Sequence, residues 1–458
     1  MNRIAHNASN NEPVEAIIDK FTRENCVSDM LRSVCTSKSK GVSNISILRF
    51  LMSVVFTGRS IHRNLESGRF VDFAKDTVYR FLSSCSGWFR ALPRIASSLI
   101  EKFFAPLTDE SRNNVLIIDD SAFSRGRSSK VELLAKTYDH ARNKYSKGFR
   151  LLSMGWSDGN SFVPVDCCLL SAGSEGTLLH DARPTAGMTE DQISARRTSR
   201  CKATDVVLSM LDEANAAHID AKYVLFDSWF CLPTQVIAVK NKGYDVIGMV
   251  KKSSKVHFIV NGKSVSVKDI YHNGHKRRGL AHVRLVVDAM AKSSDDGSMI
   301  PVKLVFVSQN TNRKNWLVLL STDTSLEPED ICTLYGRRWE TECFYKVCKS
   351  VLNLERGCMC RNYDSILTHT AIVMLQYMML SQQKRTCEDD RSLGELFFSV
   401  VDQMEEMSFN EALRLIIQAL FDEIIMVEGM SETVRLKIVQ IFINKLPQTL
   451  TASLKLSA

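Results

Sequence analysis

Val115-Leu116-Ile117-Ile118-Asp119-Asp120 is a run of four aliphatic residues that ends in two acids. So short a run, rich in branched side chains, reads as a buried strand, and an acid at its C-terminal end is placed to line a site at a sheet edge. Downstream, Leu151–Trp156 and Phe162–Leu170 read as two more strands, joined by Ser157-Asp158-Gly159-Asn160, which has the residue types of a hairpin turn. Asp205–Ala217 carries a helical period, and Tyr223-Val224-Leu225-Phe226 is a strand that again ends in an acid, Asp227. Thr234–Lys242 reads as a helix and Val246–Val250 as a fifth strand. Three strands, a helix, a strand, a helix and a strand predict an α/β fold built on a mixed β-sheet with an antiparallel hairpin in its first half.

On either side of this block the grain differs. Residues 14–105 are helical in pattern, with apolar residues at three- and four-residue spacings in Val14–Phe21, Ile45–Phe56 and Ala91–Phe104. Within them Lys75–Phe81 reads as an amphipathic helix with a cationic face, of the kind that enters DNA grooves. Residues 251–325 hold short strand-like runs (Val256–Val260, Val283–Asp288, Val302–Val307, Trp316–Leu320) and the basic cluster His275-Lys276-Arg277-Arg278, and read as a separate β-rich insertion. The helical period returns at Pro328 and continues to about residue 445. The expected organisation is a helical DNA-binding region over 1–109, a core over 110–250 and 326–385 around the 251–325 insertion, and a helical region over 386–458.

Composition narrows the function classes. The 458 residues are 45% apolar and 24% charged, which are globular values. The net charge is +8, unevenly spread: residues 388–428 hold eleven acids against two arginines, which leaves about +14 on residues 1–385. A cationic body makes nucleic acid a serious partner, and the acidic segment suits a protein–protein contact. Thirteen cysteines show no C-x2-C pair, so structural zinc is not expected. The opening residues lack the apolar run of a secretory signal, so reduced thiols in the cytoplasm are expected. The most apolar stretch, Ala371–Leu380, is too short for a membrane span.

Two carboxylates brought close together by adjacent strands repel unless protonated or bridged by a hard cation, so Asp120 and Asp227 point to Mg2+ or Mn2+. A third acid lies in Tyr335-Gly336-Arg337-Arg338-Trp339-Glu340-Thr341-Glu342 and its continuation to Lys349. At about 100° per residue Tyr335, Arg338, Glu342 and Lys349 would share one helix face over about 21 Å. That face offers one carboxylate among cations and a phenol, a pattern suited to a metal ligand beside a phosphodiester.

The spacing Tyr335-x2-Arg338-x3-Glu342-x6-Lys349 resembles the Y-(2)-R-(3)-E-(6)-K motif of the DDE transposases of the bacterial insertion sequence 4 family. Those proteins have an RNase H-like core with a β-rich insertion between the second Asp and the Glu, and this chain shows the same order. The resemblance implies that Asp120, Asp227 and Glu342 bind two divalent ions and carry catalysis. Tyr335, Arg338 and Lys349 would contact the phosphates of the transposon end. Asp119 adjoins Asp120, and strand alternation sends the two to opposite faces; Asp120 is chosen because the family's first Asp precedes a Ser or Thr, here Ser121.

The resemblance further implies cut-and-paste transposition of an insertion sequence in the bacterial cytoplasm, with terminal inverted repeats and target DNA as partners, a homodimer in the DNA complex, and often a hairpin end. A hairpin needs a base out of the stack, for which Trp316 is a candidate platform. Arg125, Arg127 and Lys130, and Lys251 and Lys252 with the 275–278 cluster, could extend a phosphate-binding groove. The competing readings are an RNase H-like endonuclease without strand transfer and a non-catalytic DNA-binding descendant.

Overall fold

A computed structural model describes residues 14–35, 40–66, 73–109, 112–139, 143–173, 175–276, 282–308 and 315–386, with scattered positions between 392 and 441. The expected C-terminal helical region and its acidic segment lie almost wholly outside the described residues, as do Arg277 and Arg278.

The strands are β1 (Val115–Ser124), β2 (Ala135–Asp139), β3 (Lys144–Ser157), β4 (Phe162–Leu170), β5 (Tyr223–Phe226), β6 (Asp245–Val250), β7 (His257–Val260), β8 (Lys263–Ser266), β9 (Val283–Lys292), β10 (Met299–Ser308) and β11 (Trp316–Ser321). Their central block has the order β4-β3-β1-β5-β6. β1 is antiparallel to β3 and β3 to β4, whereas β1, β5 and β6 run parallel. This is the mixed sheet that the strand pattern predicts, consistent with the RNase H-like core that the resemblance implies. The β3–β4 hairpin turns at Gly159, whose φ of +87° suits a residue without Cβ, and the Asp158 carboxylate accepts the peptide N–H groups of Asn160 and Ser161.

The insertion is β-rich as expected but not a sheet of its own. β11 pairs antiparallel with β6, and β10, β9, β7 and β8 follow outward, so the insertion lengthens the core sheet to eleven strands. An unpaired β6 would leave a row of open backbone groups, and β11 closes it.

The helices are α1 (Val14–Glu24), α2 (Val27–Val34), α3 (Asn44–Val54), α4 (Ile61–Glu66), α5 (Lys75–Ser84), α6 (Trp88–Leu99), α7 (Glu190–Thr198), α8 (Ala203–Ala216), α9 (Pro233–Asn241), α10 (Val267–Asn273), α11 (Pro328–Gly336), α12 (Trp339–Ser350) and α13 (Tyr363–Thr386). α13 is the axle. Nearly all of its first 20 residues are buried on every face, as a helix packed all round must be. It takes hydrogen bonds from the N-terminal helices, Trp88 Nε1 donating to Thr368 Oγ1 at 3.1 Å and Asn25 Nδ2 to Gln382 Oε1 at 2.8 Å. It also packs on β4, so the N-terminal helices are joined to the sheet through it. No helix among the described residues is long and apolar enough to cross a membrane.

Reduced thiols throughout is not what the structure shows. Cys35 and Cys85, which end α2 and α5, form a two-residue antiparallel bridge and a disulfide, and their separation of 50 residues hid the pair from any spacing rule.

Candidate active site

The parallel ladder of β1 and β5 ends with Ile118 opposite Phe226, so Asp119 and Asp227 leave it side by side. Alternation along β1 then decides what each acid meets. Asp119 and Ser121 face α12: Arg338 Nη1 lies 3.0 Å from Asp119 Oδ2, and Lys349 Nζ lies 2.8 Å from Ser121 Oγ. The buried Tyr345 phenol anchors that helix to the sheet, hydrogen-bonding Ser153 Oγ at 2.7 Å and donating to the Asp119 carbonyl at 3.0 Å. Asp120 faces the other way and accepts from Arg150 Nε at 2.6 Å. The acid that hydrogen bonds link to Glu342 is Asp119, through Arg338, whose Nη2 donates to Glu342 Oε1 at 2.6 Å. Asp120 remains within charge reach of Asp227 and Asp119.

The motif is split by a joint rather than carried on one helix. Tyr335 lies in the last turn of α11, Arg337 and Arg338 form a tight turn, and Glu342 and Lys349 belong to α12. Arg338 donates its peptide N–H to the Tyr335 carbonyl three residues back, and Thr341 donates likewise to Arg338. This tightening keeps Tyr335, Arg338 and Glu342 together beside the acids. Glu340 points away, accepting from Ser157 Oγ at 3.0 Å on β3.

The acids of this spot carry the electrostatic mark of burial and crowding. Burial pushes the Asp119 carboxyl up to about 7; Arg338 opposes the rise and the charges of Asp227 and Asp120 add to it. Burial also raises Asp227, with Asp120 adding to it, even though the peptide N–H of Trp229 donates to its Oδ1 at 2.8 Å. Burial raises the Tyr335 phenol, and the charge of Asp227 adds to that. Asp119, Asp120, Asp227 and Glu342 are thus four carboxylates answered by two guanidinium groups, those of Arg150 and Arg338. An acid-rich, oxygen-only donor set short of positive charge fits a hard divalent ion. Glu342 is turned to Arg338, and among the described residues no three His, Cys, Asp or Glu side chains converge into one metal-holding group.

The chemistry of this cluster has a counterpart in a protein family. The model of the DDE superfamily endonucleases matches residues 57–298, which include Asp120 and Asp227 and stop short of Glu342. The chain belongs to the DDE superfamily endonucleases. Enzymes of this superfamily depend on divalent metal ions, in keeping with the donor set. No curated protein is similar enough to match the chain.

The other expected contacts of this endonuclease divide sharply. Arg125 is buried, its guanidinium donating to the Glu355 and Cys358 carbonyls, so it braces the loop before α13 and cannot reach a phosphate. Arg127 and Lys130 are exposed. Trp316 is not an open platform: Tyr271 stacks on one face with centroids 4.2 Å apart, and the Lys252 ammonium lies 4.1 Å from the ring centre on the other. Lys349 is held inside the protein by Ser121 Oγ, the Ala122 carbonyl and Glu355. In α5, Lys75, Tyr79 and Arg80 are exposed while Val78, Phe81 and Leu82 are buried, so its outer face carries the cations.

Two residues absent from the sequence reading are Trp229 and Trp339, 52% and 63% exposed beside Asp227 and Arg338. Lys251 lies 5.2 Å from the Trp229 ring centre. Indoles this exposed are unusual, and their position two residues after Asp227 and one after Arg338 was the signal available in the sequence.

Proposed function

We propose that this endonuclease is a transposase of the insertion sequence 4 type, which cuts the ends of a mobile DNA element and joins them to target DNA. The observation that carries the reading is the pair Asp119 and Asp227 at the end of the parallel ladder of β1 and β5, with Arg338 bonded to both Asp119 and Glu342 and with Asp120 within charge reach of Asp227. Asp120, Asp227 and Glu342 would hold Mg2+ or Mn2+, and such ions supply Lewis-acid activation of the attacking oxygen and charge stabilisation of the leaving one.

The chain's own residues prepare the site in three ways. Arg338 neutralises Asp119 and fixes the Glu342 carboxylate, so the helix acid enters the site pre-oriented. Arg150 holds Asp120 in one rotamer. Tyr335 and Arg338 present a phenol and a guanidinium to a phosphate, and Lys349 would join them by exchanging its internal partners. No side-chain nucleophile is required, since water or a DNA 3′-OH attacks in line. Trp229 and Trp339, both exposed, would hold bases displaced from a distorted end, including a hairpin, in the role first expected of Trp316. Two element ends need two such sites, which supports a dimer on DNA.

The test is incubation with the element's terminal DNA and Mg2+. Specific 3′ nicking, followed by joining to a target duplex, is the expected result, with loss on the order of a thousandfold in Asp227→Asn and in Glu342→Gln. Nicking without joining would reduce the reading to an endonuclease. Undiminished cutting in either variant would remove the site assignment.

A further inference from the structure

Tyr345 stands on α12 three residues after Glu342 and four before Lys349. At about 100° per residue it lies about 60° from the first and about 40° from the second, so the three share one side of the helix. Glu342 keeps 40% of its side chain in solvent, whereas Tyr345 is 7% exposed and runs into the protein. Its hydroxyl meets three oxygens: Ser153 Oγ at 2.7 Å, the Asp119 carbonyl at 3.0 Å and the Leu151 carbonyl at 3.3 Å.

A phenol keeps its one proton at neutral pH, and burial raises the pKa of this one further. The two carbonyls can only accept, and they share that proton. The Ser153 hydroxyl is therefore the donor in its own contact with the phenol. These contacts join the elements on which the site is built. Asp119 pairs across the β1–β3 ladder with Ser153, Asp120 with Leu152 and Ser121 with Leu151. The hydroxyl thus spans the ladder at the level of Asp120, whose carboxylate is held from the same stretch of β3 by Arg150 Nε at 2.6 Å.

Two other side chains bridge this segment to β1, Arg338 to the Asp119 carboxylate and Lys349 to Ser121 Oγ and the Ala122 carbonyl. Both are long and partly exposed, and a long chain can follow a shifted helix by changing rotamers. A tyrosine ring has only two χ angles, so a buried one passes the position of one element on to the next. We propose that Tyr345 is a positioning residue for the metal site: its hydroxyl fixes the height and register of α12 over β1 and β3, and with them the approach of Glu342 to Asp120 and Asp227. This role rests on Glu342 being a ligand, as under the proposed function. Tyr363 supplies a comparison. It too is buried, at 1% exposed, and its hydroxyl donates to the Leu169 carbonyl at 2.8 Å, but it makes that bond from α13 to β4.

Calorimetric titration of the full-length protein with Mn2+, in the absence of DNA, tests this beside thermal melts. Tyr345→Phe and Tyr363→Phe each remove one buried hydroxyl and should lower the melting temperature by a similar few degrees. Only Tyr345→Phe should weaken Mn2+ binding, by about tenfold or more. In the Glu342→Gln protein, whose own binding is weakened, adding Tyr345→Phe should cost nothing further, since its effect runs through Glu342. Unchanged Mn2+ affinity in Tyr345→Phe, with Glu342→Gln weakened, would overturn this role and leave the site assignment standing. An equal loss in Tyr363→Phe, or a full further loss on the Glu342→Gln background, would also overturn it, because either is a general loosening of the fold. Mn2+ binding that is absent in wild type, or indifferent to Glu342→Gln, would overturn the role together with the site assignment. If Tyr345→Phe fails to fold by circular dichroism, Ser153→Ala takes its place in the same comparison, because it keeps the ring and removes the donor to its oxygen.

Discussion

Arg196 and Arg338 each sit between two carboxylates, Arg196 between Glu132 and Asp364, Arg338 between Asp119 and Glu342, and the settings of the two groups differ. Arg196 is sealed, with its side chain 5% exposed and both acids 2% exposed. It forks onto Glu132 at 2.7 and 3.1 Å and onto Asp364 at 2.9 and 2.7 Å. Burial pushes Glu132 up, but the bonds from Arg196 and from the Tyr363 and Arg183 peptides outweigh it and hold the carboxyl below its usual range. Burial nonetheless raises Asp364 against the pull of Arg196, so what differs around Arg338 is the exposure and the number of acids. Glu342 is 40% exposed, two further aspartates crowd in, and Asp119 and Asp227 are both raised. The first cluster joins the chain after β1 to α7 and α13 and is complete as it stands. The second has spare negative charge and an open side, which is the condition for taking up cations and an anionic substrate.

The contrast can be broken or sharpened by mutation. The largest effect should separate the two adjacent aspartates: Asp120→Asn should lower DNA cleavage on the order of a thousandfold. Asp119→Asn, which disturbs only the partner that orients Arg338, should cost about 10–100-fold. Cleavage rates at saturating Mg2+ decide, and the reverse order would make Asp119 the ligand. Next, Arg196→Met should destabilise the fold by about 3–5 kcal/mol, because it strands two buried carboxylates; a melting temperature unchanged from wild type would show the cluster to be dispensable. Arg338→Met, with its partners nearer water, should cost far less stability while removing cleavage.

The smallest effect concerns pH. The Asp119 carboxyl has a folded pKa of about 7, above its unfolded value, so the folded state holds the extra proton. Its contribution to stability is fully present below about pH 4 and is lost as pH rises through 7. Thermal melts between pH 4 and 7 should show wild type losing more stability than Asp119→Asn across that window; parallel curves would mean that Asp119 is ionised throughout.

Much of the fold was legible because its signals are local. β5 lies at Tyr223–Phe226 as its four apolar residues predict, and Asp227 follows it at the sheet edge. The hairpin turn, α8, α9 and the β-rich character of 251–325 were equally readable. β2 was missed because Ala135–Asp139 carries no apolar run, and α7 because only Arg196 of its nine residues is buried. The joint at Arg337 and Arg338 was missed because both residues keep right-handed helical backbone angles. Arg125 and Arg127, two residues apart in one loop, could not be told apart until Glu355 and Cys358 were seen to claim the first.

Sequence alone determined the residue types of the site, their spacing along the joint, and the strands that end in acids, since strand and helix periods act over a few residues. Tertiary structure decided which aspartate Arg338 meets, which arginine is sealed with its acids and which left with surplus charge, that the insertion lengthens the core sheet, and that one hydroxyl, on Tyr345, meets both β1 and β3. Those outcomes rest on partners tens to hundreds of residues apart, whose meeting is set by packing of the whole chain and leaves no periodic trace in it.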